Sequence, residues 1–276
     1  MTGSTPHREK PLKASILVDP EKPKVSLQDI ATILKGVGIE YATAHPDFAI
    51  VVGGDGVFSY YGRIMSIPML FVGVRSRTAT GSKAYIAETY LDGLRHALRS
   101  IKARRYTVTE CRRLEVLLDH VKLGEVFTDV SLEKGADSNA LRYKLTARGR
   151  GFGFTDFVIS NGVVVCTRAG STGYFSYLDK VRLGDWLEPA RSMVIRDDEI
   201  GVCHIVPTYS KREGAVVHPL RYTLPWKSEV KIQLVRDADA RLFGLGKSRA
   251  GIRVSPEDVV TVRPSQNATH IIRVVK

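Results

Sequence analysis

Apolar and polar positions along this chain follow two rhythms. As far as about residue 105, short apolar runs alternate with amphipathic stretches. Ser15–Val18, Ile39–Thr43, Phe48–Val52 and Pro68–Val72 read as strands, because short β-rich apolar runs suit a buried parallel sheet. Between the first two, Leu27, Ile30, Ala31 and Leu34 share one helical face. Ser26 is placed to cap that helix, Asp29 puts a negative charge in its first turn, and Gly36 suits its carboxyl end. Val57–Met65 reads as a second helix. Ala87, Leu91, Leu94, Leu98 and Ile101 form the clearest apolar stripe, which predicts a helix over 87–102 that packs on the sheet.

Beyond about Tyr106 the period falls to two. Arg113–Leu118, Val121–Leu132, Leu141–Ala147, Thr155–Ile159, Gly162–Thr167, Glu229–Val235 and Asp258–Val262 are short runs separated by turn residues. They predict a β-rich domain of sandwich type. The expected organisation is a disordered tail over 1–13, a Rossmann-like α/β domain over 14–105, a β-sandwich-type domain over 106–262, and a strand within 263–276 that can return to the first domain. The fold class is therefore α/β plus all-β.

Composition narrows the picture only in part. The 276 residues are 43% hydrophobic and 25% charged, as in ordinary globular proteins. No apolar run approaches the roughly 20 residues that a membrane helix needs, and the polar start carries no secretory h-region, so a cytoplasmic protein is expected. Three scattered cysteines give neither a disulfide framework nor a CxxC pair, and no HExxH stands in the chain, so no metal centre is assigned. Lys plus Arg exceed Asp plus Glu by 41 to 29, a net charge of +12. That favours phosphorylated ligands. The basic residues are spread along the chain and form no nucleic-acid module, so neither a nucleic-acid nor a membrane partner is expected.

Two glycine-rich segments carry the chemistry. Gly53-Gly54-Asp55-Gly56 follows the strand Phe48–Val52 directly. Glycines behind a strand let backbone N–H groups approach a phosphate, and the lone carboxylate of Asp55 can accept a proton or hold a metal. In open α/β sheets, ligands bind beyond the carboxyl ends of the strands. The second segment, Thr167-Arg168-Ala169-Gly170-Ser171-Thr172-Gly173-Tyr174, follows Asn161-Gly162 and the run Val163–Cys166. Gly170 and Ser171 can present donors to phosphate or ribose. A helix beginning near Ser171 would add its positive end, and Tyr174 could stack on a base.

In this order and separation, GGDG and GSTGY resemble the NAD kinase family, whose members carry GGDG on the first domain and a TPTGSTAY segment on the second. The resemblance runs from about residue 14 to 265 and includes Thr128-Asp129, where the family has an Asn-Glu or Asn-Asp pair, and Ile205-Val206-Pro207. GGDG alone is shared with the diacylglycerol kinase group. The resemblance implies transfer of phosphate from ATP or polyphosphate to the 2′-hydroxyl of the adenosine ribose of NAD, with Mg²⁺ or another divalent metal. It implies Asp55 as the base, with Gly53, Gly54 and Gly56 close to phosphates. It implies Thr128 and Asp129 on adenine or ribose, and Thr172, Gly173, Tyr174 and Tyr177 lining the dinucleotide site. It implies a homodimer or homotetramer, with Asn161 serving an adjacent subunit. Arg75 and Arg77 are further phosphate candidates, standing where the family has its GxNxGxLGF loop. The chain departs from the pattern at Thr128 (Asn in the family), Asn161 (Asp), Arg168 (Pro) and Gly173 (Ala). Two alternatives follow: a kinase of the same fold acting on a lipid or sugar alcohol, and a non-catalytic dinucleotide-binding regulator.

Overall fold

A computed structural model describes residues 11–19, 25–74, 84–136, 139–179, 195–246 and 250–275. The chain divides into two compact units. One comprises Met1–Tyr61, Ser66–Glu110 and His270–Lys276; the other comprises Gly62–Met65 and Cys111–Thr269.

The first unit is an α/β domain built on β1 (Lys13–Val18), α1 (Leu27–Val37), β2 (Glu40–Tyr41), β3 (Phe48–Gly53), α2 (Asp55–Ile64, whose last turn belongs to the second unit), β4 (Met69–Gly73), β5 (Thr89–Tyr90) and α3 (Leu94–Lys102). The strands are parallel: Ile16 pairs with Ile50, and Ile50 with Leu70. β3 is buried along its whole length, as a strand covered on both faces must be. On one face Ile30 and Leu34 of α1 and Leu94 and Leu98 of α3 pack on Ile16, Ile50 and Leu70. On the other, Phe58 of α2 stacks on Phe71 with ring centroids 4.7 Å apart.

Two expectations are corrected here. The carboxyl cap of α1 is Gly38, not Gly36: Gly38 takes φ 76°, and its N–H donates to Leu34 and Lys35. Gly36 stays within the helix. The predicted helix over 87–102 begins seven residues late, at Leu94. Thr89–Tyr90 pairs with β4, and a 3-10 turn over Leu91–Gly93 leads into α3. Ser26 caps α1 as expected, accepting from Gln28 N at 3.2 Å.

The second unit is a β-sandwich. Its strands are β6 (Tyr106–Leu118), β7 (Val121–Val126), β8 (Asp129–Lys134), β9 (Leu141–Gly149), β10 (Phe152–Ser160), β11 (Gly162–Cys166), β12 (Glu199–Ile205), β13 (Tyr209–Arg212), β14 (Arg221–Pro225), β15 (Glu229–Leu234), β16 (Ala240–Phe243), β17 (Ile252–Val254) and β18 (Val260–Val274). One sheet runs β13-β10-β9-β15-β18, and the other β14-β12-β11-β8-β16-β17. The core between them includes Tyr143, Leu145, Val230 and Ile232 from the first sheet and Val130, Leu132, Val163, Val165 and Val202 from the second. β18 passes out of this unit at its end, where Ile271 pairs in parallel with Met69 of β4. The apolar run Val121–Leu132 is two strands rather than one. β7 pairs with β6 through a turn at Asp119 and His120, both at positive φ, and β8 lies in the other sheet.

Candidate functional site

In the first unit the site is the junction of β3 and α2. Gly54 O accepts from Val57 N at 3.0 Å and from Phe58 N at 3.2 Å, so Asp55 opens the helix immediately behind the strand. Its Oδ1 accepts from Ile86 N at 3.0 Å, which fixes the carboxylate at the positive end of α2. The glycines serve different ends. A Cβ on Gly53 would lie 2.8 Å from the Val57 side chain, so close packing of strand against helix excludes any other residue. A Cβ on Gly56 would meet nothing within 4 Å. None of the motif's glycines takes a positive φ, so the turn does not depend on left-handed backbone. Gly56 is exposed beside Asp55 and leaves the first turn of α2 open to a ligand. Arg75 and Arg77 lie outside the described residues.

In the second unit the site forms on the outer face of the β8–β11–β12 sheet. Side chains alternate along β8: Val130 and Leu132 enter the core, so Asp129, Ser131 and Glu133 face outward. Val164 and Cys166 of β11 face the same way and carry Phe175 and Ile195. The segment after β11 is anchored to the start of β8. Thr167 N donates to Thr128 O at 2.8 Å, and Thr167 Oγ1 donates to Phe127 O at 2.6 Å. A Cβ on Gly170 would lie 2.4 Å from Thr128 O, so only glycine permits this approach. Gly170 is therefore a packing residue, buried against Thr128. Ser171 is also buried. No α-helix starts at Ser171: two 3-10 turns, Arg168–Gly170 and Tyr174–Ser176, occupy that stretch, and helical backbone begins at Tyr177.

The remaining candidates separate into two groups. Thr128, Asp129 and Tyr174 share one region. Burial pushes the Asp129 carboxyl up; its hydrogen bond with Thr128 opposes this, and Glu133 adds to it. The Tyr174 phenol is pushed up by the charge of Glu133 first, then by burial and Asp129. Tyr174 is 51% exposed and stands beside an acidic row. The carbonyls of Thr172 and Gly173 both accept from Ser176 Oγ, at 2.9 and 2.8 Å. Asn161 lies at the opposite end of β11, about 17 Å along the strand from the Thr128 end. Its N–H donates to Ile205 O at 2.9 Å, and its carbonyl accepts from Lys134 N at 2.9 Å. The Tyr177 hydroxyl is fully used by backbone, donating to His204 O and accepting from Val206 N, both at 3.0 Å.

Sequence reasoning missed Ser131, Glu133 and Arg221. Ser131 and Glu133 follow Asp129 at strand spacing, though the run Val121–Leu132 stops one residue short of Glu133. Arg221 forks onto Asp179 at 2.6 and 2.7 Å and donates to Phe175 O at 2.9 Å, pinning the Tyr174–Asp179 segment to β14. Among the described residues no group of three or more His, Cys, Asp or Glu side chains could hold a metal ion. No helix among them is long and apolar enough to cross a membrane.

Comparison with known proteins gives a consistent picture. No family model matches the chain. It is 22% identical over 245 residues to the NAD kinase of Picrophilus torridus, covering 89% of this chain and 80% of that protein. It is 29% identical over 160 residues to the NAD kinase of Koribacter versatilis, covering 53% of this chain and about half of that one, 52%. Among solved structures, yeast NADH kinase complexed with NADH superposes with a TM-score of 0.70 at 12% identity, over 98% of this chain and 85% of the other. An NAD kinase from Archaeoglobus fulgidus in complex with ATP gives 0.64 at 16% identity, over 94% and 93%. The chain shares the fold of these proteins.

Proposed function

We propose that this protein, a divergent member of the NAD kinase family, transfers a phosphoryl group from ATP to the 2′-hydroxyl of the adenosine ribose of NAD. The observation that carries this reading is Asp55: a carboxylate held by Ile86 N at the amino end of α2, next to the open first turn at Gly56. The relatives' names and the NADH and ATP in the two solved neighbours support it. The proteins it resembles here are NAD or NADH kinases, and nothing among the described residues favours a lipid or sugar alcohol acceptor.

In this reading Asp55 accepts the proton of the ribose hydroxyl as its oxygen bonds to the γ-phosphorus. The bond from phosphorus to the bridging oxygen breaks, and ADP leaves with that electron pair. Backbone N–H groups at the start of α2 sit where phosphate charge develops. Asp129 and Thr128, with the exposed face of Tyr174, engage the nucleoside. A single carboxylate suits a divalent metal that arrives on the nucleotide phosphates, since Mg²⁺ takes one or two carboxylates plus phosphate oxygens. Such a metal would be held by Asp55 and would neutralise phosphate charge. The protein works in this reading as a homodimer or homotetramer. Exposed Tyr209, Val216, Val217 and Leu220, on and between the edge strands β13 and β14, support such an interface.

The test is to incubate purified protein with NAD, ATP and Mg²⁺ and to detect NADP with an NADP-specific dehydrogenase. Steady NADP formation is expected. Tight NAD binding without turnover would leave the regulator reading in its place.

A further inference from the structure

Val206 stands in a conformation that its residue type avoids. It takes φ +45°, in the left-handed region, where a β-branched side chain is an outlier. It also precedes Pro207, and a following proline disfavours helical backbone in the residue before it. The surrounding structure over-determines the turn. Val206 N donates to the Tyr177 hydroxyl at 3.0 Å, and that hydroxyl donates to His204 O at 3.0 Å. On the flanks, Ile205 O accepts from Asn161 N, and Thr208 N donates to Ile159 O, both at 2.9 Å. Beneath it, His204 is wholly buried with Nδ1 2.9 Å from the Tyr143 hydroxyl.

The result of this clamping is that an apolar side chain, 56% exposed, projects from a fixed turn beside Asn161. Val206 stands outside the core cluster of the sandwich. Sparsely populated backbone that is held from several sides collects at ligand sites, and the inference runs from the outlier to the function. Branched methyls next to an amide suit a planar heteroaromatic base: apolar contact on the ring and a hydrogen bond at its edge.

We propose that Val206 is a specificity-determining contact for a base of the dinucleotide, and that Tyr177 is a positioning residue that acts through Val206 by clamping its strained backbone. This rests on the NAD kinase reading. It changes the role of Tyr177, whose hydroxyl serves the turn rather than the ligand.

The test uses Val206→Gly, Tyr177→Phe and the double variant in the full chain, with steady-state kinetics and melting temperature. Glycine takes φ +45° without steric cost, so Val206→Gly is expected to melt at or above the temperature of the unchanged protein. Its KM for NAD should rise about tenfold, the scale of a lost apolar contact, with KM for ATP unchanged. Tyr177→Phe should raise KM for NAD in the same direction, and in the Val206→Gly background should add nothing further. A folded Val206→Gly protein whose KM for NAD stays within about twofold of the parent overturns the inference. NAD binding and turnover by the unchanged protein are measured in the same series. Their absence overturns the kinase reading and this inference together, whereas their presence with an unaltered Val206→Gly protein overturns this inference alone.

Discussion

At the scale of single residues, the glycines of the two motifs are not interchangeable. Gly170 touches Thr128 O so closely that a methyl group would sit 2.4 Å from it, whereas a methyl on Gly173 would meet Gly170 O at 3.4 Å, an ordinary contact, and it is the backbone there, at φ −82° and ψ −135°, that calls for glycine. Gly170→Ala should therefore cost about 1–3 kcal/mol of stability and weaken NAD binding through Thr128 and Asp129. Gly173→Ala should lower the melting temperature for a different reason, since ψ −135° lies outside the regions open to a residue with a Cβ. Thermal melts and NADP formation on the pair check this; a variant of either glycine that melts with the parent protein would contradict it. Both residues lie in one glycine- and hydroxyl-rich string, and the sequence cannot tell which glycine is pressed on a carbonyl. That distinction depends on the approach of Thr128, which is 42 residues away from Gly170. The placement of Asp55 between strand and helix was legible because a lone carboxylate directly after a buried strand is a local pattern. The Tyr177 clamp was not, since its partners His204 and Val206 come from another strand and the turn behind it.

At the scale of elements, the helices and the long buried strands follow from periodicity, and the short or polar strands do not. β12 carries Gly201, Cys203 and a buried His204 within seven residues, β14 ends in Pro225, and β16 is only four residues long. Each weakens the alternating signal, so these strands were not anticipated. His204 of β12 and Tyr222 of β14 also face a buried polar group on β10 that the pattern conceals. Asp156 of β10 is fully buried; Arg212 donates to it twice, at 2.8 and 3.1 Å, and Tyr222 donates at 2.8 Å. Burial raises its pKa, but hydrogen-bonding and charged neighbours, His204, Arg212 and Tyr222, outweigh it and hold the carboxyl below its ordinary value. A lowered folded-state pKa contributes stability that is present above the unfolded value, roughly pH 4, and is lost as pH falls through the folded one. Asp156→Asn should remove that acid-side contribution and cost about 3 kcal/mol near neutrality, because Arg212 loses its partner. Urea melts of both proteins from about pH 3 to pH 7 should therefore converge toward the acid end; a constant difference would contradict the assignment. Arg221→Ala, which frees Asp179 and Phe175 O, should raise KM for NAD several-fold with a smaller change in kcat, since it loosens the segment that carries Tyr174. An unchanged KM would separate that segment from the nucleoside.

At the scale of the whole molecule, an α/β unit carries Asp55 and a β-sandwich carries Thr128, Asp129 and Tyr174, the residues that the proposal sets on the nucleoside. Both architectures were legible in the change of period near residue 106. Exact boundaries were not, because β6, β18 and α2 each run from one unit into the other, and a continuous apolar pattern does not mark where packing changes partner. The net charge of +12 suits a protein whose ligands carry phosphates. The claim that joins these scales is that Asp55 takes the ribose proton. Its most direct test is Asp55→Asn, assayed for NADP formation from NAD, ATP and Mg²⁺ alongside nucleotide binding by calorimetry. Turnover should disappear while binding stays within about tenfold, or ~1.4 kcal/mol. An Asp55→Asn protein that forms NADP at the parent rate would contradict the account.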